Sequence, residues 1–396
     1  MSTQKALIVG AGVAGLTLAR RLVAQDWQVT IVEHAPDLRT GGYMLGLSGP
    51  GYNTIRDMGL LPDLQAIAHV IGDKLFFDDK GREIYRIPFE QMMAQTDYLL
   101  LNRNDLVASL AAGLHDSVDF RFGTTIRHAT IGETVSTVEL SNGDVLEVDL
   151  LVGTDGIRSA LRPLITGQDH QGLQPLGYRF GAYEVDNVLG LDGYAIFHTA
   201  PGHFAEYYPL PNKRLAALQV WPSAETGFVP MDQRWTVLRD VAKGAHADVH
   251  RVLDLAEAGP YPILDDLILT KPAAWSKGSG IMLGDAAHCL TFISGQGAGM
   301  AITSAGILAD ELAHRPVAEA IAETQRRVRP AIDRLQIYSS KRARGMIPSG
   351  PLAYRIRMVM MRLLNARLKR PLVNALEAER LAAASILPSR ISSGAA

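Results

Sequence analysis

The sequence predicts an α/β fold in which a parallel sheet flanked by helices carries an inserted antiparallel sheet and ends in a helical C-terminal region. Three observations predict this architecture. Short apolar runs such as Ala6–Val9 lead directly into glycine-rich turns, which is typical of parallel strands buried on both faces. Residues 176–274 alternate aromatic and apolar side chains between Gly, Pro and Asn, which is typical of antiparallel strands. Residues 326–370 carry apolar side chains at helical spacing.

Length, composition and charge narrow the kind of protein that this chain can be. The chain has 396 residues, 47% of them hydrophobic and 20% charged, which allows two ordinary domains or one domain with a large insertion. The net charge is −2, so the chain has no net positive charge that would attract a nucleic acid. Cys289 is the only cysteine, so an intrachain disulfide is excluded. An apolar strand begins within about five residues of Met1, so we expect no signal peptide. We expect a cytoplasmic location.

The first 33 residues have the order that a dinucleotide-binding unit requires. The apolar strand Ala6–Val9 enters the glycine motif Gly10–Gly15, and apolar residues then recur at helical spacing over Leu16–Val23. A second strand follows over Gln28–Glu33. A glycine motif is weak evidence by itself. Between a strand and a helix that leads to a second strand, it predicts a Rossmann-like unit.

Each glycine of the motif has a physical role. Gly10 permits a tight turn, Gly12 lets the backbone approach a pyrophosphate, and Gly15 lets the helix pack on the strand. The helix N-terminus offers free N–H groups to phosphates. Glu33, 18 residues after Gly15, is positioned to bind ribose hydroxyls and to repel a 2′-phosphate. FAD or NAD therefore fits this unit, and NADP does not.

Two further motifs follow predicted strands far along the chain. The strand Val148–Val152 precedes Gly153–Arg162, in which Asp-Gly makes a sharp turn before a helix. The strand Ile281–Leu283 precedes Gly284–His288, and the glycine-rich Gly295–Gly299 opens a long apolar helix. The carboxyl ends of parallel strands share one edge of a sheet, so these segments are expected to meet the first motif.

In this combination the chain resembles the class A flavoprotein monooxygenases, the family of para-hydroxybenzoate hydroxylase. That family carries the glycine motif, a D-G-x-x-S-x-x-R motif and a G-D-A-A-H motif followed by G-x-G. Asp155, Gly156, Ser159 and Arg162 match the second motif, and Arg103 matches the family's arginine ahead of a helix. The resemblance covers most of the chain and is far more specific than any one motif.

The resemblance implies non-covalent FAD as the cofactor. It implies that Asp285 binds the ribityl chain, Arg103 the pyrophosphate or ribityl region, and Asp155 the pyrophosphate side. It also implies that the backbone N–H groups of Gly295–Gly299 stabilise negative charge on the reduced flavin. From the residues alone, Asp285 serves equally well as a helix N-cap. The predicted cofactor-binding residues are Gly10, Gly12, Val13, Ala14, Gly15, Glu33, Arg103, Asp155, Gly156, Asp285, Gly295, Gly297 and Ala298.

The sequence departs from the family pattern beside the flavin. Many relatives have a proline at or next to the position of Phe292, and an Asn where this chain has Gly299. These changes predict an altered wall at the reactive edge of the cofactor. His288 and Cys289 suggest a covalent link to the flavin, which we disfavour because the motif packs around a non-covalent cofactor in the family that the chain resembles.

The predicted antiparallel sheet is expected to form the substrate chamber, because binding pockets favour domain interfaces. The segment Leu75–Tyr85 predicts a hairpin added to this sheet. His198 and His203 lie on different strands without an acidic partner in the pattern, so no metal site is expected. For any one wall residue, plain sheet packing is favoured over a substrate contact. The candidate wall residues are Tyr183, Phe197, Tyr207 and Trp221.

The C-terminal region is basic and amphipathic. Residues 326–370 contain thirteen Lys or Arg and one acidic residue, Asp333. Such a helix can dock its apolar stripe on the body of the protein or lie on an anionic membrane surface, and we favour docking. The stripe comprises Leu352, Ile356, Val359, Met360, Leu363 and Leu364, with Arg355, Arg357, Arg362 and Arg367 among them.

These features predict three regions along the chain. The FAD-binding domain is predicted to be discontinuous, and the C-terminal residues are predicted to be helical, with the final five frayed. The predicted boundaries are 1–70, 96–175 and 275–320 for the FAD-binding domain, 71–95 and 176–274 for the substrate-binding sheet, and 321–396 for the helical region.

The predicted function is an FAD monooxygenase that uses NADPH or NADH and O₂ to hydroxylate an aromatic or polycyclic small molecule. The family resemblance implies oxygen transfer from a flavin C4a-hydroperoxide, with no catalytic acid or base assigned in this chain. Two alternatives remain open: a flavin reductase, dehydrogenase or cyclase on the same fold, and a non-catalytic flavin-binding or membrane-adaptor protein. The sequence leaves the substrate, the nicotinamide preference and the oligomeric state open.

Overall fold

A computed structural model describes residues 3–38, 43–167, 172–348, 350–363, 375, 378–379 and 382–385 of the protein. In these residues the strands are β1 Lys5–Val9, β2 Gln28–Glu33, β3 Met44–Ser48, β4 Asp73–Phe77, β5 Glu83–Ile87, β6 Tyr98–Asn102, β7 Val118–Phe122, β8 Ile126–Ile131, β9 Ser136–Leu140, β10 Val145–Val148, β11 Leu150–Gly153, β12 Leu173–Asp186, β13 Tyr194–Ala200, β14 His203–Leu210, β15 Arg214–Pro222, β16 Ile263–Thr270, β17 Ser276–Lys277 and β18 Gly280–Met282.

The helices are α1 Val13–Val23, α2 Pro50–Asp57, α3 Leu61–Ile67, α4 Phe89–Met93, α5 Arg103–Ala111, α6 Leu161–Thr166, α7 Arg234–Val241, α8 Ala247–Ala256, α9 Asp285–His288, α10 Gly297–Leu312, α11 Val317–Ala343 and α12 Pro351–Leu363. Short 3₁₀ turns lie at Met231–Gln233 and Phe292–Ser294.

The first sheet has six strands in the order β17-β18-β11-β1-β2-β7. All neighbouring pairs run parallel except β17 and β18. Both faces are buried, since Ile8 of β1 packs with α1, α5 and α10, whereas Leu7 and Val9 pack with α6 and α11. The carboxyl ends of β1, β11 and β18 are neighbours, which brings together the turns that follow them.

The second large sheet has seven strands in the order β16-β12-β15-β14-β13-β4-β5. The hairpin predicted over Leu75–Tyr85 is observed as β4 and β5. The sheet departs from a purely antiparallel arrangement at one pair, because β13 and β4 run parallel. The strands of this pair are distant in sequence, so no tight turn forces them to be antiparallel.

The two faces of the seven-stranded sheet have different neighbours. On the helix face, Tyr183 and Tyr207 pack in one cluster with Trp235 of α7 and Val249 of α8. On the opposite face, here called the inner face, Phe180 packs with residues of other segments that include Tyr43, Phe292 and Ile293. The inner face is therefore the one turned toward the segment that follows α9.

The C-terminal helices pack against the body, but not through the predicted stripe. Tyr354 and Met358 of α12 are buried against Ile84 of β5, and the Tyr354 hydroxyl donates to the Thr199 carbonyl at 2.9 Å. Four stripe residues are instead exposed: Leu352, Ile356, Val359 and Met360. The docked face is chosen by the hydrogen bonds of one tyrosine, which apolar periodicity does not reveal. The side chains of Arg362 and Leu363, together with Leu364, Arg367 and the final five residues, lie outside the described residues.

Among the described residues, no helix combines the length and the apolar character needed to cross a bilayer.

Candidate active site

The three motifs meet through Thr154, which lies between them. The Thr154 hydroxyl donates to the carbonyl oxygens of Val9 and Gly10, at 3.0 and 2.8 Å. A Cβ at Gly284 would lie 3.1 Å from the Cβ of Ala14 in α1, so the third motif approaches the helix of the first. The turns after β1, β11 and β18 therefore lie together, as the sequence predicts.

The glycine motif is held in a conformation that side chains would obstruct. Gly10 has φ +105°, and a Cβ there would lie 2.7 Å from the Thr154 carbonyl oxygen. A Cβ at Gly15 would lie 2.2 Å from the Gly10 carbonyl oxygen. A Cβ at Gly12, by contrast, would find only the Thr154 carbonyl oxygen at 3.8 Å. Gly10 and Gly15 are thus required by the protein itself, whereas the space beside Gly12 is open to a ligand.

The buried carboxylate of Glu33 fixes the glycine turn. Its Oε2 accepts from the Ala11 N–H at 2.9 Å, and its Oε1 accepts from the Ala35 N–H at 2.9 Å. A negative charge therefore stands at the end of β2, directly beneath the turn. Val13 and Ala14 follow in the first turn of α1, where N–H groups have no intrahelical acceptor.

The second motif joins the first to the third. Asp155 accepts from the Ala160 N–H at 2.7 Å and so holds the start of α6, while its buried Oδ1 has no hydrogen-bond partner within the described part of the chain. Burial raises the pKa of this carboxyl. Gly156 has φ +79° with open space where a Cβ would stand. Arg162, which is buried, donates to the Ala286 carbonyl at 3.1 Å and thereby links the motif to α9.

Asp285 lies in a concave site. Its side chain is accessible to solvent, yet desolvation by the surrounding protein raises the pKa of its carboxyl, and Arg103 opposes that rise. Desolvation also raises the pKa of Tyr43, and Arg103 again opposes the shift. The Arg103 N–H donates to the Tyr43 carbonyl at 3.2 Å. An accessible but desolvated carboxylate near an arginine indicates a cleft that can receive a polar ligand.

The side chains of His288 and Cys289 are both buried in the protein interior. The His288 Nε2 accepts from the Gly284 N–H at 3.2 Å, and burial lowers the pKa of His288 to about 4. Cys289 is also buried, and burial raises the pKa of its thiol well above the ordinary value. Both side chains stabilise the turn at Asp285, which supports a non-covalent cofactor.

The N-terminus of α10 lies next along the chain. Gly295 has φ +61°, and Gln296, whose side chain donates to the Ser48 hydroxyl at 3.1 Å, occupies the N-cap position without a capping hydrogen bond to the helix. The N–H groups of Gly297 and Ala298 in the first turn have no intrahelical acceptor. This 16-residue helix directs its positive dipole end at the site.

Aromatic rings lie between this site and the inner face of the sheet. Phe180 makes edge-to-face contacts with Phe292 and with Tyr43, with ring centroids 5.7 and 6.4 Å apart. The unusual Phe292 therefore contacts the sheet directly. These three rings form an aromatic cluster between the sheet and the segment that follows α9.

The four candidate wall residues do not share one face. Phe197 lies on the inner face, stacked on Phe76 with ring centroids 4.4 Å apart. The other three, Tyr183, Tyr207 and Trp221, pack in the cluster under α7 and α8 on the helix face. Strand register explains the division, because Phe197 pairs with Glu206 and not with Tyr207. For these three residues the structure gives sheet packing, the alternative weighed in the sequence analysis.

Glu206 is an acidic group that the sequence analysis missed. It lies on the inner face beside Lys74, and desolvation raises the pKa of its carboxyl to about 7, opposed by the Lys74 charge. Lys74 is positioned over the Phe89 ring, with its Nζ 3.6 Å from the centroid. Period-two alternation from Phe204 identifies Glu206 as an inner-face residue once that face is known.

Comparison with known proteins identifies the family of this chain. The family described as "FAD binding domain" matches residues 3–324. The 2-heptyl-3-hydroxy-4(1H)-quinolone synthase of Pseudomonas aeruginosa is 30% identical over 80% of this chain and 82% of that protein. A flavin-dependent monooxygenase of Legionella longbeachae is 26% identical over 78% of this chain and 80% of that protein.

The fold is similar to the crystal structure of the tetracycline destructase Tet(55), with a TM-score of 0.83 at 22% identity. The match covers 98% of each chain. The chain thus belongs to the FAD-binding-domain family and is an FAD-dependent monooxygenase of the class A flavoprotein hydroxylase type.

Proposed function

We propose that this protein uses NADPH or NADH and O₂ to hydroxylate an aromatic or polycyclic small molecule. The observation that carries the proposal is the position of the aromatic inner face, at Phe180 and Phe292, beside the segment that follows Asp285. A flat apolar substrate would lie between these rings and the cofactor. The names of two related proteins support a polycyclic substrate class, since one makes a hydroxyquinolone and one acts on tetracyclines.

The residues of this chain fit FAD. The glycine turn, the desolvated Asp285 and the free N–H groups of two helix N-termini supply a cradle, a polar ligand and anion-binding ends. Glu33 would bind the ribose hydroxyls, Arg103 and Asp155 the pyrophosphate side, and Asp285 the ribityl chain. The remaining contacts are assigned to Gly10, Gly12, Val13, Ala14, Gly15, Gly156, Gly295, Gly297 and Ala298.

When bound, FAD supplies the oxygen chemistry, because reduced flavin activates O₂ for transfer of one oxygen atom. The protein contributes position and charge. The N–H groups of Gly297 and Ala298 would stabilise negative charge at the flavin ring, and the rings of Phe180 and Phe292 would exclude water. Glu206, with its pKa raised to about 7, is the inner-face group best suited to hold or accept a substrate proton.

The decisive experiment combines two measurements. Phenols, hydroxyquinolones and polycyclic phenols are screened for ligands that accelerate NADH or NADPH oxidation by the FAD-loaded protein. The product of the best ligand is then formed under ¹⁸O₂ and weighed by mass spectrometry. One ¹⁸O atom per product molecule supports hydroxylation. A product without the label points to a non-oxygenating flavin oxidoreductase, and failure of every ligand to stimulate oxidation contradicts the proposed substrate class.

A further inference from the structure

A second cluster of chemically active side chains lies on the helix face of the seven-stranded sheet, on the side away from Phe180. His198 of β13 faces the start of α8, where His246 caps the helix and Asp248 lies in its first turn. One ligand atom from each of these three residues lies within 4.8 Å of the other two. The sequence analysis expected no metal site at His198, because the pattern around it and His203 contained no acidic partner. The acidic residue that lies beside it, Asp248, comes 50 residues later in the chain.

His198 is buried without hydrogen bonds. It is 3% exposed, and neither of its ring nitrogens has a hydrogen-bond partner among the described residues. A buried imidazole in this state pays a desolvation cost that a bound ligand would offset.

The spacing of the three side chains is close to that of a zinc site. Asp248 Oδ2 lies 3.5 Å from His198 Nε2 and 3.3 Å from His246 Nδ1. Ligands at bonds of about 2.1 Å in a tetrahedron are about 3.4 Å apart. The histidine rings are stacked with centroids 4.8 Å apart, so His246, the more exposed of the two, would have to rotate for both rings to coordinate one ion. Coordination would replace the long 3.3 Å bond that His246 Nδ1 accepts from the Asp248 N–H.

The surroundings leave room for a fourth ligand. A cavity of about 220 Å³ opens beside the cluster, lined on one side by Leu75, Phe77 and Tyr194. A water molecule needs only about 30 Å³. Asp248 retains a second contact, because Arg251 donates to its other oxygen at 3.4 Å. The set of two imidazoles and one carboxylate suits zinc better than calcium or magnesium, which prefer oxygen ligands.

We propose that His198, His246 and Asp248 bind one zinc ion that joins strand β13 to the start of helix α8. The ion is independent of the flavin site, because these residues face the opposite side of the sheet from Phe180 and Phe292. Its expected effect is structural: it would fasten α8 to the sheet and raise the resistance of the protein to unfolding.

The test uses full-length, FAD-loaded protein without a histidine tag, treated with a chelator and then dialysed against Zn²⁺. We expect one zinc per chain and a higher Tm with zinc than without it. Asp248→Asn and His198→Phe should each weaken binding by more than about 100-fold, because changes in outer-shell partners alone cost about 10- to 100-fold. The Tm increase should disappear with the binding.

Two controls keep the outcome specific. Asp254→Asn changes an exposed carboxylate on the same helix, and His128→Ala removes an exposed histidine on β8, so both should bind zinc like the parent protein. Circular dichroism and FAD content establish that each variant is folded. The proposal is overturned if saturable binding is absent, or if folded Asp248→Asn protein binds zinc as tightly as the parent.

Discussion

The guanidinium of Arg162 donates to the backbone carbonyl of Ala286, 124 residues later in the chain, at 3.1 Å. The same side chain donates to the Ile157 carbonyl, so one buried cation connects the turn after β11 with helix α9. Without it, the buried Ala286 carbonyl and the half-buried Ile157 carbonyl would lose this donor. Asp285 is adjacent to Ala286, so the position of the predicted ribityl ligand depends on a residue that need not touch the cofactor.

Replacing Arg162 by methionine should therefore weaken both the fold and the cofactor site. Loss of two charge-assisted hydrogen bonds should lower the free energy of unfolding by about 3 kcal/mol. FAD affinity should fall with it, since Asp285 loses its anchor. Chemical denaturation and FAD titration measure the two effects.

The matched control is Arg158→Met, four residues earlier. Arg158 is more than half exposed and forms a two-point ion pair with the partly buried Asp265, and ion pairs near the surface contribute about 1 kcal/mol. Equal losses in both variants would contradict the anchoring role of Arg162.

The glycine motif allows packing and cofactor contact to be separated. In Gly15→Ala the new Cβ would meet the Gly10 carbonyl oxygen at 2.2 Å, so the free energy of unfolding should fall by more than about 2 kcal/mol even without FAD. In Gly12→Ala the new Cβ meets protein only at 3.8 Å, so the apoprotein should keep its stability. Its FAD affinity should fall, because the methyl group occupies the space reserved for the pyrophosphate.

The measurements are thermal melting of apoprotein and fluorescence titration with FAD. Gly244→Ala, at a glycine with open space around it, is the control for the substitution itself. Normal FAD binding by Gly12→Ala would contradict the predicted pyrophosphate position.

Two substitutions on strand β12 distinguish the faces of the seven-stranded sheet. Phe180→Leu on the inner face should raise the KM for an aromatic substrate about two- to tenfold, because an aromatic pair contributes about 0.5–1.5 kcal/mol. Tyr183→Phe on the helix face removes the acceptor of the Gln219 amide hydrogen bond at 2.7 Å. It should cost about 1 kcal/mol of stability and leave the KM unchanged. Steady-state kinetics with the substrate found by screening measure both KM values. A raised KM in Tyr183→Phe with an unchanged KM in Phe180→Leu would place the substrate on the helix face.

Glu206 should make stability depend on pH. Its pKa is raised in the folded protein from 4.5 to about 7, so folding favours the protonated carboxyl. The stabilisation is complete below about pH 4.5 and is lost as the pH rises through 7. The free energy of unfolding should fall across this window by up to about 1.4 kcal/mol per pH unit. In Glu206→Gln the slope should be reduced.

Denaturant titrations at pH 5, 6, 7 and 8 measure this slope. Glu184→Gln is the control, since Glu184 lies on the same face and accepts from Asn102 at 3.0 Å. If the free energy of unfolding of Glu206→Gln depends on pH as steeply as that of the parent protein, other groups cause the pH dependence.

The sequence predicts well what depends on strand order and local chemistry. The turns at Gly10, Thr154 and Gly284 were expected to meet, because the carboxyl ends of parallel strands lie at one edge, and the structure brings them together. Antiparallel strands also form within residues 176–274, where aromatic alternation predicts them, as β13, β14 and β15.

The sequence predicts poorly what depends on the choice of neighbours. Alternation separates Phe180 from Tyr183 but does not say which of them faces the cofactor, since both faces of the sheet are apolar. Helix α12 docks through Tyr354 because its hydroxyl reaches Thr199, a contact that no local pattern contains. Likewise, His198 meets Asp248 only because α8 covers the sheet.

The single thiol of this chain has a practical consequence. Cys289 follows directly after α9 and is shielded from solvent, with its side chain beside Asp285. A maleimide can therefore react only with molecules whose cofactor turn has come apart. The labelling rate therefore reports how often the turn at Asp285 opens, and it can be measured on the native sequence without an engineered cysteine. Bound FAD should lower this rate.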